Sequence, residues 1–215
     1  MVKKMSLSRR GRPVNEATRD AIIVVATRMF MTEGLQRTTM DNIARAMHIS
    51  KLTLYKRFPN KDALFTAVIT AKCNQYIPDA AFSDLDAGTP ADSLYAIGFG
   101  LLHLITSPDA MNMERMLMAE ANNKQKLTKL FYDAGPKRVK ALIADYLASL
   151  HAKGTLHVPD AMLASHVFAA LFKGSDICMR LCMNIPPKPS KAEIAHYCRH
   201  CVAIFLAAHQ PPIKK

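Results

Sequence analysis

The sequence predicts an all-α protein of about nine helices, on three observations. Apolar residues recur at three- and four-residue spacing along almost the whole chain, with no strand-like alternation of useful length. Half of the 215 residues are hydrophobic and only 8 are glycine, a balance that favours ordered helix over linker. Helix-capping and helix-stopping residues fall where the apolar runs begin and end. A chain of this length forms one large domain or two small ones, with a core that is stable without disulfides. There are no internal repeats.

Residues 1–14 read as a basic, flexible arm. Asn15 can cap a first helix whose apolar face is Ile22, Ile23, Ala26, Met29 and Phe30, with Gly34 as its left-handed terminator. From Thr38 to Phe65 the pattern tightens. Thr38 and Asp41 form an N-cap pair for a short helix carrying Ile43, Ala44 and Met47, and Ser50 caps a second with Leu54 and Phe58 one turn apart. Pro59 ends that helix, and Asn60 caps the next, which runs from Lys61 towards Tyr76 and stops before Pro78. Ala80 to Thr89 is polar and irregular, a hinge or loop.

Beyond Pro90, Ala91–Thr106 is apolar almost all round and is expected to be a buried central helix. Pro108 opens a helix bearing Met111, Met113, Met116, Leu117 and Met118. Leu127, Leu130, Phe131 and Ala134, then Val139, Leu142, Ile143, Tyr146, Leu147 and Leu150, continue the spacing across Gly135-Pro136, which is expected to kink or split the helix. Asp160 caps one helix to Met183, and Asn184 to Pro189 is a stiff connector. Ser190 with Glu193 is a capping box opening the last helix, to Ala208. The expected domains are the arm (1–14), a small head (15–61) and a body (62–215).

Charge is unevenly distributed. Met1 to Lys61 holds 13 Lys and Arg against 4 Asp and Glu, and the remainder holds 16 against 13. A basic head on a nearly neutral body seeks a polyanion. The longest apolar run, Ala96 to Ile105, falls well short of the ~20 residues a membrane span needs. No signal peptide is expected, and an odd count of 5 cysteines without scaffold spacing points to a reducing cytoplasm.

Two short helices joined by a tight turn, the second polar and basic on its outer side, form a helix-turn-helix. Its second helix suits the major groove, with Lys51, Leu52, Thr53, Tyr55 and Lys56 turned away from Leu54 and Phe58. Lys61, at a helix N-terminus, is placed to hold a backbone phosphate with the free amides. The run GLQRTTMDNIARAMHISKLTLYKRFPNKDALF closely resembles the DNA-binding head of TetR-family transcriptional regulators, over about Ala17 to Val68. Ile43-Ala44, Ser50, Leu54-Tyr55, Phe58 and Lys61 before Leu64-Phe65 match that motif in order. The resemblance implies that Thr39, Lys51, Leu52, Thr53, Tyr55, Lys56 and Lys61 face DNA. Tyr55 and Lys61 would hold phosphates, and Leu52 and Thr53 would approach base edges. Met47-His48 stands where the family usually has Ala-Gly, so His48 is expected to take a positive φ.

In the arm, Arg9, Arg10 and Arg12 flank Gly11 before Pro13, which resembles an AT-hook core suited to a narrow minor groove; the alternative is a tail giving non-specific attraction. In the body, Ser107-Pro108-Asp109 and the run from Phe131 to Val139 resemble the AefR-like branch of TetR-family C-terminal domains. That resemblance implies ligand binding and dimerisation. Phe99, Leu102, His103, Met113, Met116, Leu117, Phe131, Phe168 and Phe172 are candidates to line an apolar pocket, with His103 or Glu120 as polar anchor. The same residues are also what a plain helical core would contain. Leu163, Val167, Leu171, Ile194, Cys198, Cys201, Val202 and Phe205 are the expected homodimer faces, by analogy.

The expected function is a homodimeric regulator of transcription bound to a palindromic double-stranded operator, a repressor released by a small hydrophobic effector. The resemblance implies that the effector moves the helix starting near Lys61. The alternatives are an activator, or a metal- or thiol-redox-sensing regulator using Cys178, Cys182, Cys198 and Cys201, with His196 and His200 also one turn apart. No cofactor, structural metal or catalytic residue is expected, since neither G-x-S-x-G nor H-E-x-x-H occurs. The basic head lacks the free apolar helix face that binding to a membrane surface would need.

Overall fold

The computed structural model describes residues 14–78, 82, 88–120 and 125–212. The arm, with Arg9, Arg10 and Arg12, lies outside the described residues, as do most of Ala80 to Thr89 and the side chain of Glu120. The chain divides into two compact units, one up to Val68 and one from Ile69. Among the described residues the regular structure is entirely helical.

In the first unit, α1 (Val14–Glu33) is followed by α2 (Met40–Ala46), α3 (Lys51–Arg57) and the first half of α4 (Lys61–Tyr76). α1 already includes Asn15, the expected cap. Ile22, Ala26, Phe30, Ile43, Leu54, Phe58, Leu64 and Phe65 are buried together. Phe30 and Phe65 meet edge to face at 5.9 Å, which stabilises the pair by about 1 kcal/mol beyond burial alone. Gly34 is left-handed at φ +81, as expected of a helix terminator.

In the second unit are α5 (Pro90–Ile105), α6 (Pro108–Glu120), α7 (Gln125–Tyr132), a π-helical turn (Asp133–Lys137), α8 (Arg138–Ala152), α9 (Ala161–Lys173), α10 (Asp176–Met183) and α11 (Lys191–Ala208). α8 packs on α9, while α5 packs on both α9 and α11. α5 buries Leu94, Ile97, Leu101, Leu102 and Leu104 on several faces, as its all-round apolar sequence predicts. Gly98 and Gly100 let its neighbours approach closely. A Cβ on Gly98 would lie 2.2 Å from Phe172 Cζ, and one on Gly100 would lie 2.4 Å from the carbonyl oxygen of Tyr76.

Three local differences have physical causes. The helix expected from Asp160 to Met183 is two helices, because Ser175 is buried and its hydroxyl donates to Phe172 O (2.8 Å) while accepting from the Cys178 N–H (2.9 Å). At Gly135-Pro136 the helical winding is not interrupted but widens. Pro136 lacks an N–H and would clash with the preceding turn, and widening to a π-turn relieves this while α7 and α8 stay joined. The N-cap of α2 is Thr39 rather than Thr38: Thr39 Oγ1 accepts from Asn42 N–H at 3.1 Å. Thr38 is fully buried and donates to Gly34 O (2.9 Å) and Met29 O (3.2 Å). The capping box of α11 forms as expected, and α5 has one too, between Thr89 and Asp92 with Pro90 at its first position.

Candidate nucleic-acid interface

α2 and α3 are each only seven residues long, so their stability comes from caps and packing rather than propensity. Ser50 closes the N-terminus of α3 by accepting from Thr53 N–H (3.1 Å), and its Oγ lies 2.8 Å from Thr53 Oγ1. His48 takes φ +53 in the turn between them, a conformation histidine tolerates better than most residues. Leu54 and Phe58 anchor one side of α3 in the core, each contributing about 2 kcal/mol by burial. Arg19 on α1 lies 5.3 Å above the Phe58 ring, a cation–π contact that fixes the end of the helix.

Anchored on that side, α3 presents the other to solvent. Leu52 is 66% exposed and Tyr55 45%, three residues apart and so neighbours on the outward side of the helix. Lys51 and Lys56 are exposed beside them, while Thr53 is half-buried against its cap. Thr39 is exposed at the start of α2. The outward set is therefore two lysines, a phenol and an isobutyl group on one short rigid helix, with a threonine at its root.

Two cations already have protein partners. Lys51 Nζ lies 2.5 Å from Asp41 Oδ2 on α2, both side chains largely in solvent. Asp41 thus pairs with α3 instead of sharing in the α2 cap expected with Thr38. Lys61 is half-buried, and its ammonium donates to Leu35 O (2.8 Å) and Thr38 O (3.1 Å). Asn60 Oδ1 accepts from Ala63 N–H (2.8 Å) and opens α4.

Matches to known proteins agree with this geometry. The model of "Bacterial regulatory proteins, tetR family" matches residues 22–68. The model described as "AefR-like transcriptional repressor, C-terminal domain" matches residues 92–211, more than half of the chain. The chain belongs to the TetR family. Among solved structures, a TetR-family regulator of Mesorhizobium loti is 25% identical with TM-score 0.70, over 93% of this chain and all of that one. The flavonoid-responsive regulator FrrA is 28% identical with TM-score 0.70, over 91% of this chain and 98% of that one. The curated relative YdeS of Bacillus subtilis is 36% identical over 89 residues, 40% of this chain and 45% of that protein. The biofilm-operon negative regulator IcaR of Staphylococcus epidermidis is 27% identical over 45% of this chain and 58% of that protein. The chain thus spans about half the length of the curated relatives it matches. TetR-family proteins are regulators of transcription rather than enzymes. No helix among the described residues is long and apolar enough to cross a membrane.

The body's candidate residues separate into two groups. Phe168 and Phe172 are fully buried with their rings tilted against each other at 5.1 Å, and Phe168 also meets Phe205 at 5.1 Å. Leu102, Met113 and Leu117 are buried as well, while Met116 and Phe131 are half-buried. Phe99 and His103 are half-buried on α5, in a ladder with Tyr95 at ring separations of 5.7 Å and 4.4 Å. The candidates do not line the open cleft of about 400 Å³ that lies between α5 and α11, bordered by Tyr95, Arg199, Val202 and Leu206.

Of the expected dimer residues, Leu163 and Val167 stand exposed on α9 and Leu171 is half-buried. Ile194, Cys198, Cys201, Val202 and Phe205 are turned into the unit's own core instead. The outward face of α11 carries His196, His200, Ala203, Ile204 and Ala207, positions that repeat at three and four residues, offset from the cysteine stripe.

Proposed function

We propose that this chain is a cytoplasmic transcriptional repressor that binds a palindromic operator as a homodimer and is released by a small hydrophobic effector. The observation that carries the proposal is α3: a short helix anchored through Leu54 and Phe58, with Lys51, Leu52, Tyr55 and Lys56 presented outward. Lys56, Tyr55 and the N-terminus of α4 meet phosphates and set the register. Leu52 and Thr53 approach base edges, Leu52 by apolar contact of the kind a thymine methyl offers. Because the Lys61 ammonium is held by two carbonyls, its share of phosphate binding falls to the backbone of α4 rather than its side chain. Arg9, Arg10 and Arg12 add minor-groove contacts on either side.

A helix of seven residues reads only a few base pairs, so useful specificity needs two copies about 34 Å apart on one face of the duplex. The exposed apolar residues Leu163 and Val167 on α9 and Ile204 on α11 provide a surface for the second copy. The effector binds in the body, where the half-buried Phe99, His103, Met116 and Phe131 leave side chains free to rearrange. FrrA's name makes flavonoids a sensible first class to screen.

The test is footprinting of the purified protein on DNA flanking its own gene, with salt titration and sizing in solution. The proposal requires a two-fold symmetric footprint, a dimer, and affinity that falls steeply with salt. A monomer that binds random duplex as tightly as its footprinted site would overturn it. So would a Leu52→Ala, Tyr55→Ala double variant with undiminished affinity.

A further inference from the structure

The thiols of α10 form a cluster that the DNA-binding and effector readings do not use. Cys178 and Cys182 stand one turn apart, with their sulfurs 3.9 Å from each other. Cys178 is buried and Cys182 half-buried. Met179 and Met183, on the same short helix, are 56% and 68% exposed, so the sequence CMRLCM sets two thiols beside two thioethers.

Helix geometry prevents this pair from forming an ordinary disulfide. Residues four apart on a helix hold their Cβ atoms about 5–6 Å apart. A disulfide needs roughly 3.5–4.5 Å, so oxidation would have to unwind α10. The helix is held against unwinding at both ends: Ser175 caps its start, Asn184 closes its end at φ +55, and Arg115 Nη2 on α6 donates to Cys182 O at 3.1 Å.

Such a dithiol is instead shaped for chelation. An ion about 2.3 Å from each sulfur, the usual length of a metal–thiolate bond, would subtend an angle of about 115° across a 3.9 Å pair. That angle leaves one side open to a third donor. Met179 lies three residues before Cys182, close enough on the helix surface for its flexible thioether to supply it. Two thiolates and a thioether select a soft ion, and three-coordination suits monovalent copper better than zinc, which takes four ligands in structural sites. We propose that Cys178, Cys182 and Met179 form a binding site for a monovalent soft metal ion, Cu(I) or its analogue Ag(I).

Binding replaces two S–H bonds with two S–metal bonds and releases both protons to solvent. The metal keeps its oxidation state, so no oxidant or reductant is required.

The test titrates the full-length, reduced chain with Cu(I) under anaerobic conditions against bicinchoninate as competing chelator, with far-UV circular dichroism to confirm folding. One Cu(I) per chain is expected. Cys182→Ser, at a half-buried position that tolerates the change, should weaken binding by more than the roughly 100-fold that loss of a supporting outer partner can cost. Met179→Leu should weaken it roughly tenfold, and Cys201→Ser should leave it unchanged. Wild-type affinity in a folded Cys182→Ser variant would overturn the assignment. So would failure to compete with the chelator, or ions distributed over all the cysteines.

Discussion

Replacing Asp41 with asparagine should tighten DNA binding while slightly weakening the fold. Lys51 is the first residue of α3, the proposed reading helix, and its ammonium sits 2.5 Å from Asp41 Oδ2, with side chains 67% and 46% exposed. A pair so open to water adds only about 0–1 kcal/mol to stability. Without the carboxylate, Lys51 is free to neutralise a phosphate, and a negative charge leaves the side proposed to face DNA. Each added phosphate contact steepens the dependence of log affinity on log salt by about 0.9, so a dimer gains about 1.8. Between 50 and 200 mM salt that is about a tenfold larger loss of affinity than wild type shows, with the variant the tighter binder at low salt. Fluorescence anisotropy of a labelled operator across that range, with a urea melt of the free protein, measures both effects. An unchanged slope, or weaker binding at every salt concentration, would refute the placement of Lys51 beside the DNA backbone.

Three further outcomes follow from other parts of the molecule. Lys61→Met should lower unfolding stability by about 2 kcal/mol, because two buried-side carbonyls lose a charged donor, while changing the salt slope little; urea melts paired with salt titrations separate this from loss of a phosphate contact. Gly98→Ala drives a methyl to 2.2 Å from Phe172 Cζ and should cost about 3 kcal/mol in a denaturant melt, with partial recovery when Phe172→Leu is added. The backbone N–H of Ser190, then its hydroxyl, holds the Glu193 carboxyl below its usual value of 4.5. A carboxylate with a depressed value stabilises the fold above its unfolded value and loses that contribution as pH falls through the folded one, so Glu193→Gln should flatten this part of the decline in melting temperature below about pH 4.5.

The head was legible because its information is local. Caps, a proline stop, a positive-φ position and one apolar side per helix all lie within 30 residues and constrain one another. The cap of α2 was misplaced by a single residue: adjacent Thr38 and Thr39 have the same capping chemistry, and only the carbonyls of Met29 and Gly34 decide which turns inward. The body was legible as helices but not as surfaces. A stripe such as Ile194, Cys198, Cys201 and Phe205 shows that a face seeks apolar company, not whether that company is the same chain or another. Phe168 and Phe172 posed the same ambiguity between pocket and core; both rings are fully buried, Phe172 close against Gly98. The Ser175 break was missed because a serine inside an apolar run reads as a minor defect until it is seen capping Cys178.

The widened turn at Asp133–Lys137 makes the chain unevenly tolerant of length changes. It holds a surplus residue within an otherwise continuous helical run from Gln125 to Ala152. Removing one residue there would restore regular winding without opening a gap. The same deletion a few positions later would rotate everything beyond it by about 100° and take Ile143, Leu147 and Leu150 out of register with α9. Natural relatives that differ by one residue in this region should therefore carry the difference at Gly135-Pro136, where the fold can absorb it.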